Sequence, residues 1–289
     1  MYFYPPQIWK IGPIQLPGYG TCLLIGIIGF LLTFFFLRKK PKFHLRWRNF
    51  FWVLASGGFF FFVGAFAWDH LCHFMSGDGT SGGISFLGGV VFGIPLFYLL
   101  LVLVYPIREQ RMALMNLIFP CIAIGHAFGR IGCFFGGCCY GMPVEGYGII
   151  YGVNSAASIR YDGWVSVFPI QLVESGFLVL LYFFLLFFPK KEYRMESYCL
   201  GYGVARFIIE FFRGDNRGVF IPGLTPSQFL SILLVSFAIV HILVRRKYPY
   251  KELDYSGLET KKMRKKRLEG DSEQQTASNQ MNTAKTNEE

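Results

Sequence analysis

The protein has 289 residues, of which 53% are hydrophobic, 19% aromatic and 16% charged, and its mean hydropathy is +0.40. A soluble domain carries about a quarter charged residues, so this composition excludes an ordinary water-soluble enzyme. The formal net charge of +10 would indicate nucleic-acid binding only if the basic residues gathered on one folded face. Their distribution along the chain indicates a membrane topology instead.

Apolar blocks bounded by charged or turn residues predict an all-α, polytopic integral membrane protein with about seven transmembrane helices. The predicted spans are 20–37, 49–67, 86–105, 112–129, 169–188, 197–212 and 226–244. The connections before the second, fourth and sixth spans, together with the chain after the seventh, hold 22 of the 28 Lys and Arg residues. The positive-inside rule then places the N-terminus outside and the C-terminus in the cytoplasm.

The sequence predicts one membrane domain and one tail. Residues 1–250 form the predicted seven-helix domain. Residues 251–289 begin with a basic run, continue as a polar stretch without apolar periodicity, and are expected to be a disordered cytoplasmic tail whose basic run rests on anionic lipid.

Two polar features lie near the predicted outer ends of the first two spans. Tyr19, in Pro-Gly-Tyr-Gly, is typical of an aromatic anchor at the membrane interface. His70 and His73, beside Asp69, are spaced so that they could bind a metal ion, although interfacial histidines commonly have no metal.

The segment from His126 to Gly141 combines small residues with an arginine and three cysteines. Arg130 is predicted at the outer end of the fourth span, where it would either hold an anionic head group or extend to lipid phosphate without any chemistry. The three cysteines have the spacing C-x4-C-C, which lacks the paired C-x2-C of a zinc knuckle.

The cysteines of this segment fit buried apolar thiols, and an outer-face disulfide stays possible. A nucleophilic thiol would need a base close by, and His126 precedes Cys133 by seven residues with no geometry fixed between them. The sequence predicts no metal site and no cofactor.

The sixth predicted span carries ionisable residues at helical spacing. Arg206, Glu210 and Arg213 stand at i, i+4 and i+7, and Tyr202 precedes Arg206 by four, which places all four on one helix face. Such a stripe is either a structural ion-pair ladder or the wall of a functional polar cavity, and the excess cation favours the cavity. Glu174, near the outer third of the fifth span, is predicted to pair with Arg206 or Arg213.

Four motifs stand in a specific order along the chain. They are Ser-Phe-x-Gly-Gly at 85–89, Gly-Arg-x-Gly-x-Phe at 129–134, Pro-x-Gln-Leu-x-Glu at 169–174 and Gly-Tyr-Gly-x-x-Arg-x-x-x-Glu-Phe-x-Arg at 201–213. With the seven spans and the opening tyrosine motif, this order resembles the prolipoprotein diacylglyceryl transferase family from Tyr19 to about Arg246.

The resemblance implies a transferase that moves the diacylglyceryl group of phosphatidylglycerol onto the thiol of a lipobox cysteine. It implies phosphatidylglycerol, the signal peptides of preprolipoproteins and the bacterial plasma (inner) membrane as partners, and no nucleic acid. By position, Arg130 and Arg206 match the two essential arginines of the family. The matches to its substrate-binding residues are Tyr19, Gly141, Glu174, Tyr202, Glu210 and Arg213.

The chain departs from the family pattern at two positions. The base histidine of the family is Leu87 here, and its signature asparagine is Cys133. Since leucine cannot accept a proton, His126 is a possible base and Cys133 a possible reactive thiol. The alternatives are a related membrane transferase with another acceptor, possibly through a cysteine thiol, and a non-catalytic protein that binds anionic lipid.

Overall fold

A computed structural model of the chain describes residues 8–11, 14–39, 46–77, 84–152, 155–161, 165–215, 221–249, 253–254, 257–260, 263–272 and 274–275. Two short two-stranded antiparallel sheets accompany the helices. They are formed by β1 (Ile8–Ile11) with β2 (Ile14–Pro17), and by β3 (Ile149–Ile150) with β4 (Ser166–Val167). The chain order of the α-helices is α1 (Gly18–Lys39), α2 (Trp47–Ser76), α3 (Phe86–Gly88), α4 (Ile94–Val104), α5 (Arg108–Gly136), α6 (Ala156–Tyr161), α7 (Ile170–Phe187), α8 (Arg194–Ile209) and α9 (Pro226–Lys247).

Helix α5 is the central helix of the bundle. It packs against α1, α4, α7 and α8. Of its most apolar window, 67% is buried, against 28–39% in the other long apolar helices, so α5 faces protein while the others face lipid on one side. Its continuous run from Met112 to Leu117 is buried on every side.

Among the described residues, six helices are long and apolar enough to cross a membrane, which confirms the all-α polytopic fold. The sixth predicted span corresponds to α8, whose 16 residues fall short of that length. A 3-10 turn, Glu210–Phe212, continues it. The helix still runs between the two ends of the bundle, since Met195 N–H donates to Asn116 Oδ1 at 3.1 Å and Arg213 bridges Gly141 at the other end.

The fourth predicted span ends too early. The apolar pattern bounds this span at residue 129, before Arg130, whereas α5 continues to Gly136 and is capped by Gly137, which adopts φ 67°. Arg130 therefore lies within the helix, and its side chain is only 8% exposed. The Glu174 carboxylate, 3.0 Å from Arg130 Nε, replaces the water that a charged residue would otherwise need.

The basic connections lie at one end of the bundle, which we call the basic end. There, Arg194 Nε donates to Leu185 O at 2.9 Å, and Arg245 lies 3.1 Å from Glu192. Arg111 donates to Tyr105 O at the same end. This clustering agrees with the alternation of basic connections along the sequence.

Parts of the predicted tail pack against the basic end. Gln110 Nε2 donates to Asp254 Oδ2 at 2.8 Å, and Gln110 Oε1 accepts from Glu259 N–H at 3.0 Å. Leu253 and Leu258 are buried, and residues 263–272 are helical. These described residues therefore contact the membrane domain, because Gln110 satisfies two of their polar groups and the two leucines join the core.

Helix α2 contacts the π-helical turn Gly89–Gly93 backbone to backbone. A Cβ atom added at Gly64 would lie 2.6 Å from Gly93 N, and one added at Gly93 would lie 2.5 Å from Phe60 O. Small residues at such a crossing allow the close approach that drives helix association in lipid.

We expect Gly64→Ala to lower the thermal midpoint of the detergent-solubilised protein by several degrees, since overpacking costs roughly 1–3 kcal/mol. The matched control is Gly58→Ala in the same helix, where an added Cβ meets no atom within 4 Å. It should leave the midpoint unchanged or raise it. Size-exclusion fluorescence after heating measures both, and equal midpoints would contradict the close contact.

Candidate active site

Glu174, in the second turn of α7, is the centre of a buried ionic cluster, and its side chain is 0% exposed. Its Oε2 lies 3.0 Å from Arg130 Nε and 3.7 Å from Arg213 Nη1. Its Oε1 accepts a hydrogen bond from Tyr202 Oη at 2.8 Å and lies 4.0 Å from Arg206 Nε. The predicted partners Arg206 and Arg213 are therefore both present, and Arg130 is the closest.

His126 lies one helical turn before Arg130 on α5 and touches the same cluster. Arg130 Nε donates to His126 Nε2 at 3.2 Å, and that nitrogen lies 4.0 Å from Glu174 Oε1. The hydrogen-bond pattern assigns the imidazole proton to Nδ1, which is buried and has no hydrogen-bond partner among the described residues. The Phe86 ring stacks on the imidazole at 3.4 Å between centroids.

The direction of the Arg130 N–H group explains an apparent conflict at Glu174. Glu174 Oε2 has no hydrogen bond from the described residues, although Arg130 Nε lies 3.0 Å away. Since the single Nε proton points to His126, the carboxylate oxygen receives only Coulomb attraction from it.

Helix α8 and the 3-10 turn that continues it supply Arg206 and Glu210, on the face that the sequence predicted. Arg206 Nη2 lies 2.5 Å from Glu210 Oε2 and donates to Ser227 Oγ at 2.9 Å. Ser227 was missed by sequence reasoning, although the Thr-Pro-Ser-Gln start of α9 is readable as a helix N-terminus, and Thr225 and Gln228 form the capping box there.

Arg213 reaches the cluster by a different route from the one predicted. The α-helix ends at Ile209, and Arg213 itself has extended backbone with φ −88° and ψ 146°. The prediction that Arg213 lies on the helix face at i+7 is therefore wrong. Its Nε and Nη2 donate to the two Asp215 carboxylate oxygens at 2.8 Å each, a bidentate pair whose acidic partner had no predicted role.

Gly141 holds this backbone in place. Its N–H donates to Phe168 O at 3.1 Å, and it forms an antiparallel bridge with Arg213. An added Cβ would lie 3.0 Å from Phe212 O and closer still to Phe168 O. The structure thus gives Gly141 a backbone role, because any side chain would separate the loop from the segment that carries Arg213.

Two other predicted residues lie beside the ionic cluster. The Tyr19 side chain is 46% exposed, and its ring packs over the helix face of Gly132 and Gly136. Cys133 gathers with two later cysteines and is partly buried. At the outer end of α2, His70 Nδ1 bonds to Phe66 O, and neither His70 nor His73 belongs to a group of three metal-ligating side chains among the described residues.

The cluster contains as many carboxylates as guanidinium groups, so its formal charge balances. Three arginines meet three acidic side chains, namely Arg130, Arg206, Arg213, Glu174, Glu210 and Asp215. The excess cation expected from the sequence is therefore absent from this group. Hydrogen-bond donors are nevertheless left over, since Arg206 Nη1 and Arg213 Nη1 are buried without an acceptor among the described residues.

A tyrosine next to this cluster keeps its proton. Burial, reinforced by the Asp215 carboxylate, raises the pKa of Tyr140 to about 12. The phenol therefore stays neutral at physiological pH and cannot serve as a base there.

A family model for prolipoprotein diacylglyceryl transferases matches residues 6–244. The chain belongs to the prolipoprotein diacylglyceryl transferase family. Proteins named phosphatidylglycerol–prolipoprotein diacylglyceryl transferase are similar to it. One from Clostridium tetani is 37% identical over 44% of this chain and 51% of that protein, and one named transferase 2 from Clostridium perfringens is 36% identical over 43% and 48%. The matches thus span about half the length of these two relatives.

Longer matches cover most of both chains. A transferase of the same name from Idiomarina loihiensis is 29% identical over 83% of this chain and 91% of that protein. Leu87, the position at which the resemblance implies a histidine, is 3% exposed and lies in the apolar core. The residue before it, Phe86, is the one that stacks on His126.

We expect Tyr202→Phe to lower the thermal midpoint more than Tyr182→Phe. The first change deprives the buried Glu174 carboxylate of its 2.8 Å hydrogen bond, which costs about 1–3 kcal/mol. The second removes a part-buried hydroxyl pair with Thr33 at 3.1 Å, worth about 0.5–1.5 kcal/mol. Equal losses in parallel thermal unfolding would indicate that Tyr202 does not support the carboxylate.

Proposed function

We propose that the protein transfers the diacylglyceryl group of phosphatidylglycerol to the thiol of a lipobox cysteine in a preprolipoprotein and releases glycerol phosphate. The observation that carries this proposal is the convergence of Arg130, Arg206 and Arg213 on one buried carboxylate, with two guanidinium N–H groups left without an acceptor. A phosphodiester supplies the anionic oxygens that such donors bind best. Family membership and the names of the relatives agree with this substrate.

In the proposed phosphate site, arginine N–H groups exchange contacts with protein groups for contacts with the phosphate oxygens. Arg206 Nη1 and Arg213 Nη1 donate to the phosphate oxygens first, since they give up no existing hydrogen bond. Arg130 then turns from His126 and Glu174 towards the phosphate. As the carbon–oxygen bond to the phosphate breaks, negative charge grows on the departing oxygen, and fixed guanidinium groups stabilise that charge in a site with little water.

The transfer exchanges one bond for another. The sulfur of the lipobox cysteine attacks the glyceryl carbon that bears the phosphate, so a carbon–sulfur bond forms while the carbon–oxygen bond breaks. The bonding electrons leave with glycerol phosphate, and the thiol proton must go to a base.

We assign the base role to His126. Leu87 cannot take a proton, whereas the imidazole lies within the ionic cluster, 4.0 Å from Glu174. Its Nε2 lone pair accepts the Arg130 N–H before substrate binds. Movement of Arg130 to the phosphate would free that lone pair, so the base becomes available only when the lipid is in place.

We propose a plasma (inner) membrane location with the ionic cluster towards the outer side. The basic end collects most Lys and Arg residues and therefore faces the cytoplasm, with the C-terminus there and the N-terminus outside. The loop that carries Gly141 lies at the opposite end. In this orientation, the site can bind signal peptides of preprolipoproteins after they have entered the membrane. We propose no role for nucleic acid.

Arg206→Lys should reduce the rate of transfer to a lipobox peptide in phosphatidylglycerol micelles by roughly 10²–10³-fold, as expected for loss of one transition-state donor. Lysine keeps the charge but cannot contact Glu210, Ser227 and a phosphate from one planar group. The matched control is Arg245→Lys, the same change at a buried arginine paired with Glu196 at the basic end. Wild-type transfer by the Arg206 variant would overturn the phosphate site.

The same assay separates the alternatives. Lipid that stays bound to purified wild-type protein without any transfer would indicate a binding protein. A diacylglyceryl group found by mass spectrometry on a cysteine of the protein itself would indicate a covalent carrier with another acceptor.

His126→Gln should lower kcat by roughly 10²–10⁴-fold with little change in lipid binding, since glutamine can accept the Arg130 hydrogen bond but cannot take a proton. His70→Gln makes the same substitution at the outer end of α2, where the ring stacks on Phe66, and should retain activity. Micelle transfer rates and lipid-binding titrations on both variants test this. An unchanged kcat in the His126 variant would exclude the imidazole as the base.

A further inference from the structure

Three cysteine thiols meet where α5 ends. The Sγ atoms of Cys133, Cys138 and Cys139 all lie within 4.8 Å of one another. Among the described residues, no other three His, Cys, Asp or Glu side chains are arranged closely enough to hold one metal ion. Three convergent sulfur ligands are the donor set that Zn²⁺ and other soft ions prefer.

The backbone brings these thiols together in spite of their C-x4-C-C spacing. Gly137 adopts φ 67° and reverses the chain, and Cys138 N–H donates to Cys133 O at 3.2 Å. Cys139 has φ 56°, and it is the only described non-glycine residue with a positive φ. Cysteine is not a residue type that favours this region, so its presence there indicates a requirement for the side chain.

Helix α7 also supports the loop that carries Cys138 and Cys139. Gln171, 1% exposed, donates from Nε2 to Cys138 O at 2.8 Å and to Tyr151 Oη at 3.1 Å. The three cysteines are only partly buried, so their site lies near the surface of the protein. Supporting hydrogen bonds of this kind preorganise ligands before a metal arrives.

The positions of the sulfur atoms suit a tetrahedral ion after a small closure. Around Zn²⁺, with Zn–S bonds of ~2.3 Å, sulfur atoms stand about 3.8 Å apart. Side-chain rotation of three flexible thiols covers the difference from 4.8 Å. Arg130 precedes Cys133 by three residues on the same helix face, so the cysteine site lies beside the ionic cluster.

We propose that Cys133, Cys138 and Cys139 form a three-thiolate Zn²⁺ site whose open fourth position binds the thiol of the acceptor cysteine. The second half of this statement rests on the proposed transferase function, whereas the metal site itself does not. A structural zinc site has four protein ligands, and a site with three leaves one position for an external ligand.

Zinc would help to deprotonate the acceptor thiol, a step in which the leucine side chain of Leu87 cannot take part. A thiol that coordinates Zn²⁺ loses its proton, which passes to His126, and the sulfur stays bound as a thiolate at neutral pH. That thiolate then forms the carbon–sulfur bond while the phosphate oxygen leaves with the electron pair. The balance needs no oxidant or reductant.

Co²⁺ substitution tests the site on the full-length protein in detergent. We expect one Co²⁺ per chain with a thiolate-to-cobalt charge-transfer band, displaced by Zn²⁺. Cys133→Ser and Cys139→Ser should weaken binding at least tenfold. Cys121→Ser on the same helix is the matched control, since its buried thiol bonds to Leu117 O and lies outside the cluster. Uptake of no Co²⁺, or equal uptake by the cluster variants, would overturn the metal site.

Addition of a lipobox peptide tests the fourth position. The cobalt d–d bands should shift with the cysteine peptide and stay constant with its serine analogue, and removal of zinc should lower transfer at least tenfold. Metal binding without that shift would retain the site and refute thiol coordination. Full transfer by metal-free protein would refute the role of the metal in transfer while leaving the transferase function intact. Metal binding with no transfer at all would refute the transferase function while retaining the metal site.

Discussion

The buried carboxylate of Glu174 is the constraint on which the membrane interior of this protein depends. Moving a charged group out of water costs several kcal/mol even after relaxation, and lipid offers no hydrogen bonds in return. Glu174 and Arg130 therefore stabilise each other, and Tyr202 adds a hydrogen bond. Since apolar surfaces gain little by meeting in lipid, this polar contact helps to fix α5, α7 and α8 against one another.

A balanced set of charges has a consequence for how an anionic lipid is recognised. Equal numbers of guanidinium and carboxylate groups produce little long-range attraction, so recognition depends on short-range hydrogen bonds. The buried Nη1 groups of Arg206 and Arg213 provide them. Because phosphatidylglycerol diffuses within the membrane, the proposed site does not need electrostatic steering from bulk water. Moderate affinity with a strong preference for the transition state serves turnover better than tight binding of the lipid.

The sequence predicted those features that follow from local periodicity. Apolar blocks locate every long helix, and the spacing of Tyr202, Arg206 and Glu210 places them on one face, as the structure has them. Features that depend on a change of backbone geometry were out of reach. The 3-10 turn after Ile209 moves Arg213 off the helix face, and no spacing rule signals where an α-helix tightens. The continuation of α5 past Arg130 depends on Glu174, which is far away in sequence.

The cysteine cluster also depends on backbone geometry that sequence spacing does not signal. It connects the two departures from the family pattern, Leu87 and Cys133. The spacing C-x4-C-C lacks the C-x2-C pair of a zinc knuckle, but the left-handed residues Gly137 and Cys139 bring the three thiols together without it. The loop that carries the thiols continues to Gly141, whose backbone bridges Arg213. The thiols are thus connected through the backbone to Arg213, one of the residues proposed to bind phosphate. A chain with Leu87 in place of a histidine can therefore activate a thiol through ligands on that loop, while His126 keeps its position beside the arginines.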